Sequence, residues 1–145
     1  MKLFSGLLML ILPTILFTRC GTAYGQKAAN KIEQGSFPVS ADTKFFMMDL
    51  QNELNTSKQT LKSFTPTKQF AEKYSLQKIK GKYHLSGFIQ TDKRFSEKQL
   101  RRIQVFPGQP SGNIRTVMVP LSAFPAFLKQ KGITYFELSK KVEVY

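Results

Sequence analysis

The chain has 145 residues, enough for one domain with a modest hydrophobic core. Its 22 lysines and arginines outnumber nine aspartates and glutamates, an excess that suits an acidic partner, an anionic surface or nucleic acid. The basic residues are scattered and no nucleic-acid-binding motif accompanies them, so we expect no nucleic-acid partner. A solvated basic surface that steers association with an acidic protein is the favoured interpretation.

The first 25 residues have the pattern of a signal peptide. Lys2 precedes an apolar run over residues 3–17, which Pro13 interrupts and which is too short to span a bilayer comfortably. Small residues at Ala23 and Gly25 predict cleavage before residue 26. The protein is therefore expected to be secreted, periplasmic or on the cell surface, with no membrane span after the leader is removed.

Cys20 offers a competing interpretation as a lipid-modified N-terminus. Lipoprotein processing requires a small residue before the cysteine, and here that residue is Arg19, so this alternative is the less favoured one. If Cys20 leaves with the leader, the remaining chain has no cysteine. Disulfides, thiolate metal sites and a cysteine nucleophile are then excluded.

Residues 26–80 are predicted to form an N-terminal helical and linker extension. Asp42 is a candidate N-cap for the helix TKFFMMDLQNEL, whose apolar residues recur on one helical face. The stretch 55–68 is rich in Ser, Thr and Lys and indicates a loop, and a short helical turn is expected over 68–74. The predicted apolar face comprises Phe46, Met47, Leu50 and Leu54.

Residues 81–145 are predicted to form the main domain, which begins with a strand, a helix and a second strand. KYHLSGFIQT is rich in aromatic and branched residues, as strands are. Ser96 is placed to cap the helix SEKQLRRI, which has an acid in its first turn and two arginines in its last. QVFPGQPSG contains two prolines, which predicts a short strand at a sheet edge.

The second half of this domain repeats the strand–helix–strand order. NIRTVMVP is a strand with alternating side chains, and Ser122 is the expected N-cap of a helix with Pro125 in its first turn. That helix ends before Gly132, and ITYFEL is the last strand. The apolar helix face comprises Phe124, Phe127 and Leu128.

The element order β-α-β-β-α-β predicts an α+β fold with a ferredoxin-like, split antiparallel sheet and two helices on one face, plus the N-terminal helical extension. Its strands carry apolar side chains on both faces, for example Leu85 on one and Phe88 on the other. Two helices cover only one face. We therefore expect either residues 26–80 or a partner to cover the second.

No catalytic apparatus is evident. The single histidine, His84, lies inside a predicted strand, and a hydrolase triad would need Asp92 or another acid brought to it by the fold. The acids show no paired acid–base pattern, and the glycines at 108 and 112 flank prolines rather than forming a phosphate loop. We expect no enzymatic activity, no metal site and no cofactor.

The run GITYFELSKKVEVY resembles the end of subtilisin prosegments, a family that also includes free-standing protease inhibitors. In these prosegments the last strand reads valine or isoleucine, any residue, tyrosine, an apolar residue and glutamate, which residues 133–137 match. Upstream, GNIRTVMVPLSAFPAFLKQKGI and KYHLSGFIQTDKRFSEKQLRRIQVF also resemble the family core. The likeness extends from Lys82 to Tyr145. We expect no protease domain to follow, so that the chain would act on a separate protease molecule.

The resemblance implies that the chain is a proteinaceous inhibitor of a subtilisin-like serine protease. The tail would bind product-like in the active-site cleft as an extended strand, with Tyr145 in the primary specificity pocket. In the family, an acid of the last strand meets the N-termini of two protease helices, and Glu137 is the matching position. The implied tail residues are Val142, Glu143, Val144 and Tyr145, and the implied docking residues are Glu137, Tyr135, Phe136 and Leu138.

The expected complex contains one inhibitor monomer and one protease. A second role, assisting that protease to fold, is left open by the same resemblance. Two other functions remain as alternatives: an envelope-associated basic binding module without inhibitory activity, and a remnant prosegment whose protease has been lost.

Overall fold

A computed structural model of the chain describes residues 32, 33 and 35–139. The predicted leader, Cys20 and the tail residues 142–145 lie outside this range. The elements are α1 (Ala41–Ser57), α2 (Lys68–Lys73), β1 (Gln77–Ile79), β2 (Lys82–Thr91), α3 (Glu97–Arg102), β3 (Phe106–Ser111), β4 (Ile114–Pro120), a 3₁₀ turn (Leu121–Ala123), α4 (Phe124–Phe127) and β5 (Ile133–Leu138).

All strand pairs of the five-stranded sheet are antiparallel, which confirms the predicted α+β, ferredoxin-like layout. The strand β2 pairs with β4 along one edge, and β4 pairs with β3. Along its other edge, β2 pairs with β5 over residues 87–91 and with β1 over residues 82–84. The four strands of the split motif therefore lie in the order β5-β2-β4-β3, and β1 is an addition beside β5.

The helix α1 begins two residues earlier than the sequence suggests. Its N-cap is Ser40, whose hydroxyl oxygen accepts a hydrogen bond from the backbone N–H of Thr43 at 3.2 Å, so Asp42 lies in the first turn and the predicted cap is wrong. Three of the four predicted apolar residues of α1 are completely buried, namely Phe46, Leu50 and Leu54.

These side chains belong to the same core as the sheet. The ring of Phe46 packs edge-on against Phe124 of α4, with centroids 5.4 Å apart, and Phe127 packs against Phe136 of β5 at 5.0 Å. Residues 38–40 also bond to the outer edge of β5 through both backbone groups of Phe136. The N-terminal region thus completes the domain rather than extending it, and the expected boundary between residues 80 and 81 falls inside the β1–β2 hairpin.

All the described helices pack on one face of the sheet, called here the inner face. Side chains of this face include Leu85, Ile89 and Phe136, all fully buried. Gly87 lies among them because a β-carbon there would come within 2.4 Å of the Phe136 ring. The region before β1 therefore adds α1 and α2 to the helices of the inner face. No helix of the described residues covers the opposite face, called here the outer face.

Candidate docking face of the sheet

The outer face carries an exposed apolar surface. Because side chains alternate along a strand, the even-numbered residues 86, 88 and 90 of β2 and their cross-strand partners all point to this side. Six large hydrophobic side chains are exposed among the described residues, and four belong to the outer face. These four are Ile79, Phe88, Phe106 and Ile114, with 37%, 43%, 52% and 42% of their surface exposed.

A shallow groove runs across the middle of this face. Phe88 and Phe106 lie on opposite sides of β4, and the half-buried Met118 lies between them in the register. Gly108 of β3 keeps the groove open, because its missing β-carbon would lie 2.2 Å from the hydroxyl oxygen of Thr116. The arrangement suits a flat or gently convex apolar partner surface better than a small molecule.

Two of the four predicted docking residues lie on the outer face. Glu137 is exposed and pairs with Phe88 across the β2–β5 ladder, and Tyr135 is half-buried and pairs with Gln90. No lysine or arginine of the described residues forms an ion pair with Glu137. This carboxylate is therefore available to an electropositive group of a partner.

Phe136 and Leu138 point the other way. Phe136 is 0% exposed and Leu138 is 6% exposed, and both belong to the hydrophobic core. A side chain buried on the inner face offers no surface to a partner on the outer one, so the docking role assigned to these two residues is corrected to a packing role.

The edge of β2 is fully used where β5 ends. The backbone N–H of Ser139 donates to the carbonyl oxygen of Ser86 at 3.0 Å, and Gln77 of β1 pairs with His84 two residues further along β2. A chain continuing beyond Ser139 in the direction of β5 therefore meets β1 instead of a free strand edge.

A polar cluster lies beside this exit point. The Oδ2 atom of Asp49 accepts a hydrogen bond from Lys73 Nζ at 2.6 Å and another from the hydroxyl of Tyr74 at 2.5 Å, which ties α1 to α2. These hydrogen bonds, that of Lys73 first, lower the pKa of Asp49. Burial, followed by the bond to Asp49, raises the pKa of Tyr74 to about 12. Leu138 and Ser139 line the same pocket.

His84 and Asp92, the two residues considered for a hydrolase triad, lie toward opposite ends of β2. His84 is buried, and its Nδ1 atom lies 3.0 Å from the carbonyl oxygen of Lys82. Asp92 follows the opposite end of β2 and forms an ion pair with Arg94 at 2.6 Å. Within the described range, no group of three or more histidine, cysteine or acidic side chains is placed to hold a metal ion. In that same range, no helix has the length and apolar character needed to cross a membrane.

Three comparisons with known proteins complete the description. No protein-family model, no curated protein and no solved structure matches this chain. A function for the chain is therefore inferred from its residues and from the geometry of the outer face.

Proposed function

We propose that this chain inhibits a subtilisin-like serine protease and contributes no catalytic residue of its own. The outer face of the sheet would lie against the protease, and residues 142–145 would enter its active-site cleft. The observation that carries the proposal is the outer face, which no described helix covers and on which four of the six exposed large hydrophobics of the described residues are gathered. Contiguous exposed apolar surface on a small protein is typical of an interaction site.

The chemistry of the outer face supports a protein partner. Aromatic and aliphatic side chains of this face would lose contact with water on binding, and exposed polar residues such as Glu137 and Gln90 lie beside them. The strands hold these side chains in a fixed arrangement before binding occurs. Little conformational entropy is then lost when the face docks, which favours tight association.

The position of Glu137 supports a specific orientation. An unpaired carboxylate on the outer face is suited to the positive end of a helix dipole, where backbone N–H groups lack partners. The resemblance to subtilisin prosegments assigns this contact to the acid of the last strand, and Glu137 has the exposure and direction that such a contact requires.

The end of β5 supports insertion of the tail. Since β1 closes the edge of β2 beyond Ser86, we propose that the chain after Ser139 leaves the sheet and runs in extended form along the protease cleft. An extended segment binds such a cleft through backbone hydrogen bonds, with alternate side chains in pockets. The sheet anchors the segment, so its binding costs less entropy than that of a free peptide.

The test is to compare inhibition by a chain ending at Tyr145 with inhibition by a chain ending at Lys141. Both are titrated against a panel of purified subtilisin-type proteases, with a chymotrypsin-type protease as a control for selectivity. We expect inhibition of at least one subtilase by the longer chain. Removal of the tail should raise the inhibition constant by on the order of 100-fold, which corresponds to about 2.8 kcal/mol.

The described domain should remain folded in both proteins, because no described contact needs residues beyond 139, and thermal unfolding checks this. Equal inhibition by the two chains would refute insertion of the tail. Absence of inhibition across the whole panel by the longer chain would refute the proposed function.

A further inference from the structure

The β1–β2 hairpin concentrates positive charge at one end of the sheet. Lys78, Lys80 and Lys82 are all exposed, and the turn between the strands has positive φ angles at Lys80 (48°) and Gly81 (79°). Two-residue hairpin turns of this kind favour asparagine or glycine at the first position, where a lysine is conformationally costly. Local folding therefore does not account for a lysine at the tip.

Neighbouring groups contact two of these lysines without neutralising them. Lys82 Nζ donates a hydrogen bond to Gln104 Oε1 at 2.9 Å, and Lys78 Nζ lies 5.4 Å from the centre of the Tyr83 ring. Gln104 directly follows the last turn of α3, which contributes Arg101 and Arg102 to the same end of the molecule. No acid of the described residues forms an ion pair with any of the three lysines.

The hairpin lies next to the point where β5 ends. Both β1 and β5 pair with the edge of β2 that faces away from β4, and the Ser139 and Gln77 positions are two residues apart along β2. That separation corresponds to about 7 Å along the strand. Gln77 and Ser139 also line the same groove of the outer face. A partner that binds the chain after Ser139 would therefore also lie close to the hairpin.

We infer that Lys78, Lys80 and Lys82 bind an acidic patch on the rim of the protease's active-site cleft, where they accelerate association and select the partner. This inference rests on the proposed function, because it takes the chain after Ser139 to enter the cleft. Charges at the rim of an interface act mainly through long-range attraction before contact. The hairpin lies outside the four-stranded split motif. It is therefore an added element that can favour one target protease over another.

The experiment uses a charge-reversed hairpin, K78E/K80E/K82E, and a matched control, K62E/K93E/K131E. The control lysines are exposed and form no ion pair with a described acid, and Lys93 and Lys131 lie at the opposite end of the sheet. Both variants have the same net charge. Association and dissociation rate constants are measured against a subtilase that the unmodified chain inhibits, at several salt concentrations, and circular dichroism verifies folding.

For the hairpin variant at low salt we expect an association rate constant lower by on the order of 10-fold, a weaker salt dependence and little change in dissociation. The control should retain an association rate within about 3-fold of the unmodified chain. Equal losses in both variants would overturn the inference, because net charge alone would then explain them.

Two further outcomes distinguish failure of the hairpin inference from failure of the proposed function. If the hairpin variant loses salt-sensitive retention on an immobilised anionic polymer but associates with the protease at the normal rate, the lysines serve the polymer and the inference is overturned. If the unmodified chain inhibits no subtilase, the proposed function fails, and the hairpin inference fails with it. If the hairpin variant still inhibits and its association rate constant is unaffected, the role of the hairpin is refuted and the proposed function is not.

Discussion

At the scale of single residues, the most closely coupled polar group is the cluster of Asp49, Lys73 and Tyr74. Tyr74 is held neutral in the folded state, since burial and the adjacent carboxylate disfavour the phenolate and raise its pKa to about 12. A tyrosine in the unfolded chain ionises near pH 10. The stabilisation contributed by Tyr74 is therefore complete below pH 10 and is lost as the pH rises from about 10 to about 12.

We predict that Asp49→Asn lowers the pKa of Tyr74 below the value in the unmodified protein but leaves it raised by burial. The measurement is a tyrosinate absorbance titration, with the titration of Tyr74→Phe subtracted so that the Tyr74 component is isolated. Lys44→Gln serves as the control, since it alters a charge on α1 and should leave the Tyr74 midpoint unchanged. An unshifted midpoint in Asp49→Asn would mean that the 2.5 Å hydrogen bond does not form in solution.

The stability contributed by Asp49, the acidic residue of the same cluster, has the opposite pH dependence. The lowered pKa of Asp49 means that the ion pair with Lys73 contributes stability above the ordinary aspartate range and loses it as the pH falls through the folded-state pKa. The pair is largely exposed, so this contribution is small. The cluster therefore connects α1 and α2 most firmly between mildly acidic and mildly alkaline pH.

The residues of the last strand show how far sequence alone could identify the candidate site. Period-two alternation was sufficient to place Glu137 and Tyr135 on one face and Phe136 and Leu138 on the other. What it could not tell was which face the helices cover, since both carry apolar side chains. The resemblance to prosegments implied a docking role for all four, and only the packed structure separates the exposed pair from the buried pair.

At the scale of secondary-structure elements, the sequence predicted to the residue the bounds of strands in which apolar and polar side chains alternate clearly. The observed bounds of β2 and β5 match KYHLSGFIQT and ITYFEL, and β3 is an edge strand as its prolines indicated. The strand β1 was missed. Its sequence, Gln-Lys-Ile, has too few apolar residues to signal a strand, and it forms because the turn at Lys80 and Gly81 returns it to β2.

The N-terminal helix was predicted as an element but not as part of the domain. Its apolar residues indicate that one side is buried, and they carry no information about which surface buries it. The edge-on contact between Phe46 and Phe124 and the bonds of residues 38–40 to β5 supply that information. A long-range contact of this kind depends on shape complementarity across the core, which a single sequence does not display.

We predict that a chain beginning at Gly81 does not fold independently. It would lack the buried side chains of α1 and expose Phe124 and Phe127, which together contribute more than the net stability of a small domain. A chain beginning at Ile32 is the control and should unfold in one cooperative transition. The single change Phe46→Ala should cost about 3–5 kcal/mol, measured by urea unfolding. A cooperative transition in the Gly81 chain would restore the sequence-based boundary.

At the scale of the whole molecule, the described chain is a sheet with helices on its inner face and no described helix on its outer face. The helices α3 and α4 pack on the inner face, and α1 and α2 are added from the N-terminal side. When a sheet has apolar residues on both faces, its second face can be covered either by another region of the chain or by a partner. The described N-terminal residues enlarge the inner core, and no described helix covers the outer face, which we propose binds the protease.

This division makes the two sheet faces separable by mutation. Phe106→Ser or Phe88→Ser removes an exposed ring and leaves the inner core intact, so the free energy of unfolding should change by less than about 1 kcal/mol. Each change should nevertheless raise the inhibition constant against a sensitive subtilase by about 10-fold or more, because aromatic side chains at the centre of an interface contribute most to affinity.

The matched control is Met48→Ser, which removes a side chain of similar exposure from α1, on the opposite side of the molecule from the outer face. It should alter neither stability nor inhibition appreciably, since a lone exposed hydrophobic away from an interface has few contacts to lose. Calorimetry measures the stability of the three variants, and inhibition assays measure their inhibition constants. Loss of inhibition in Met48→Ser but not in Phe106→Ser would move the docking surface from the sheet to α1, and the outer face would then need another explanation.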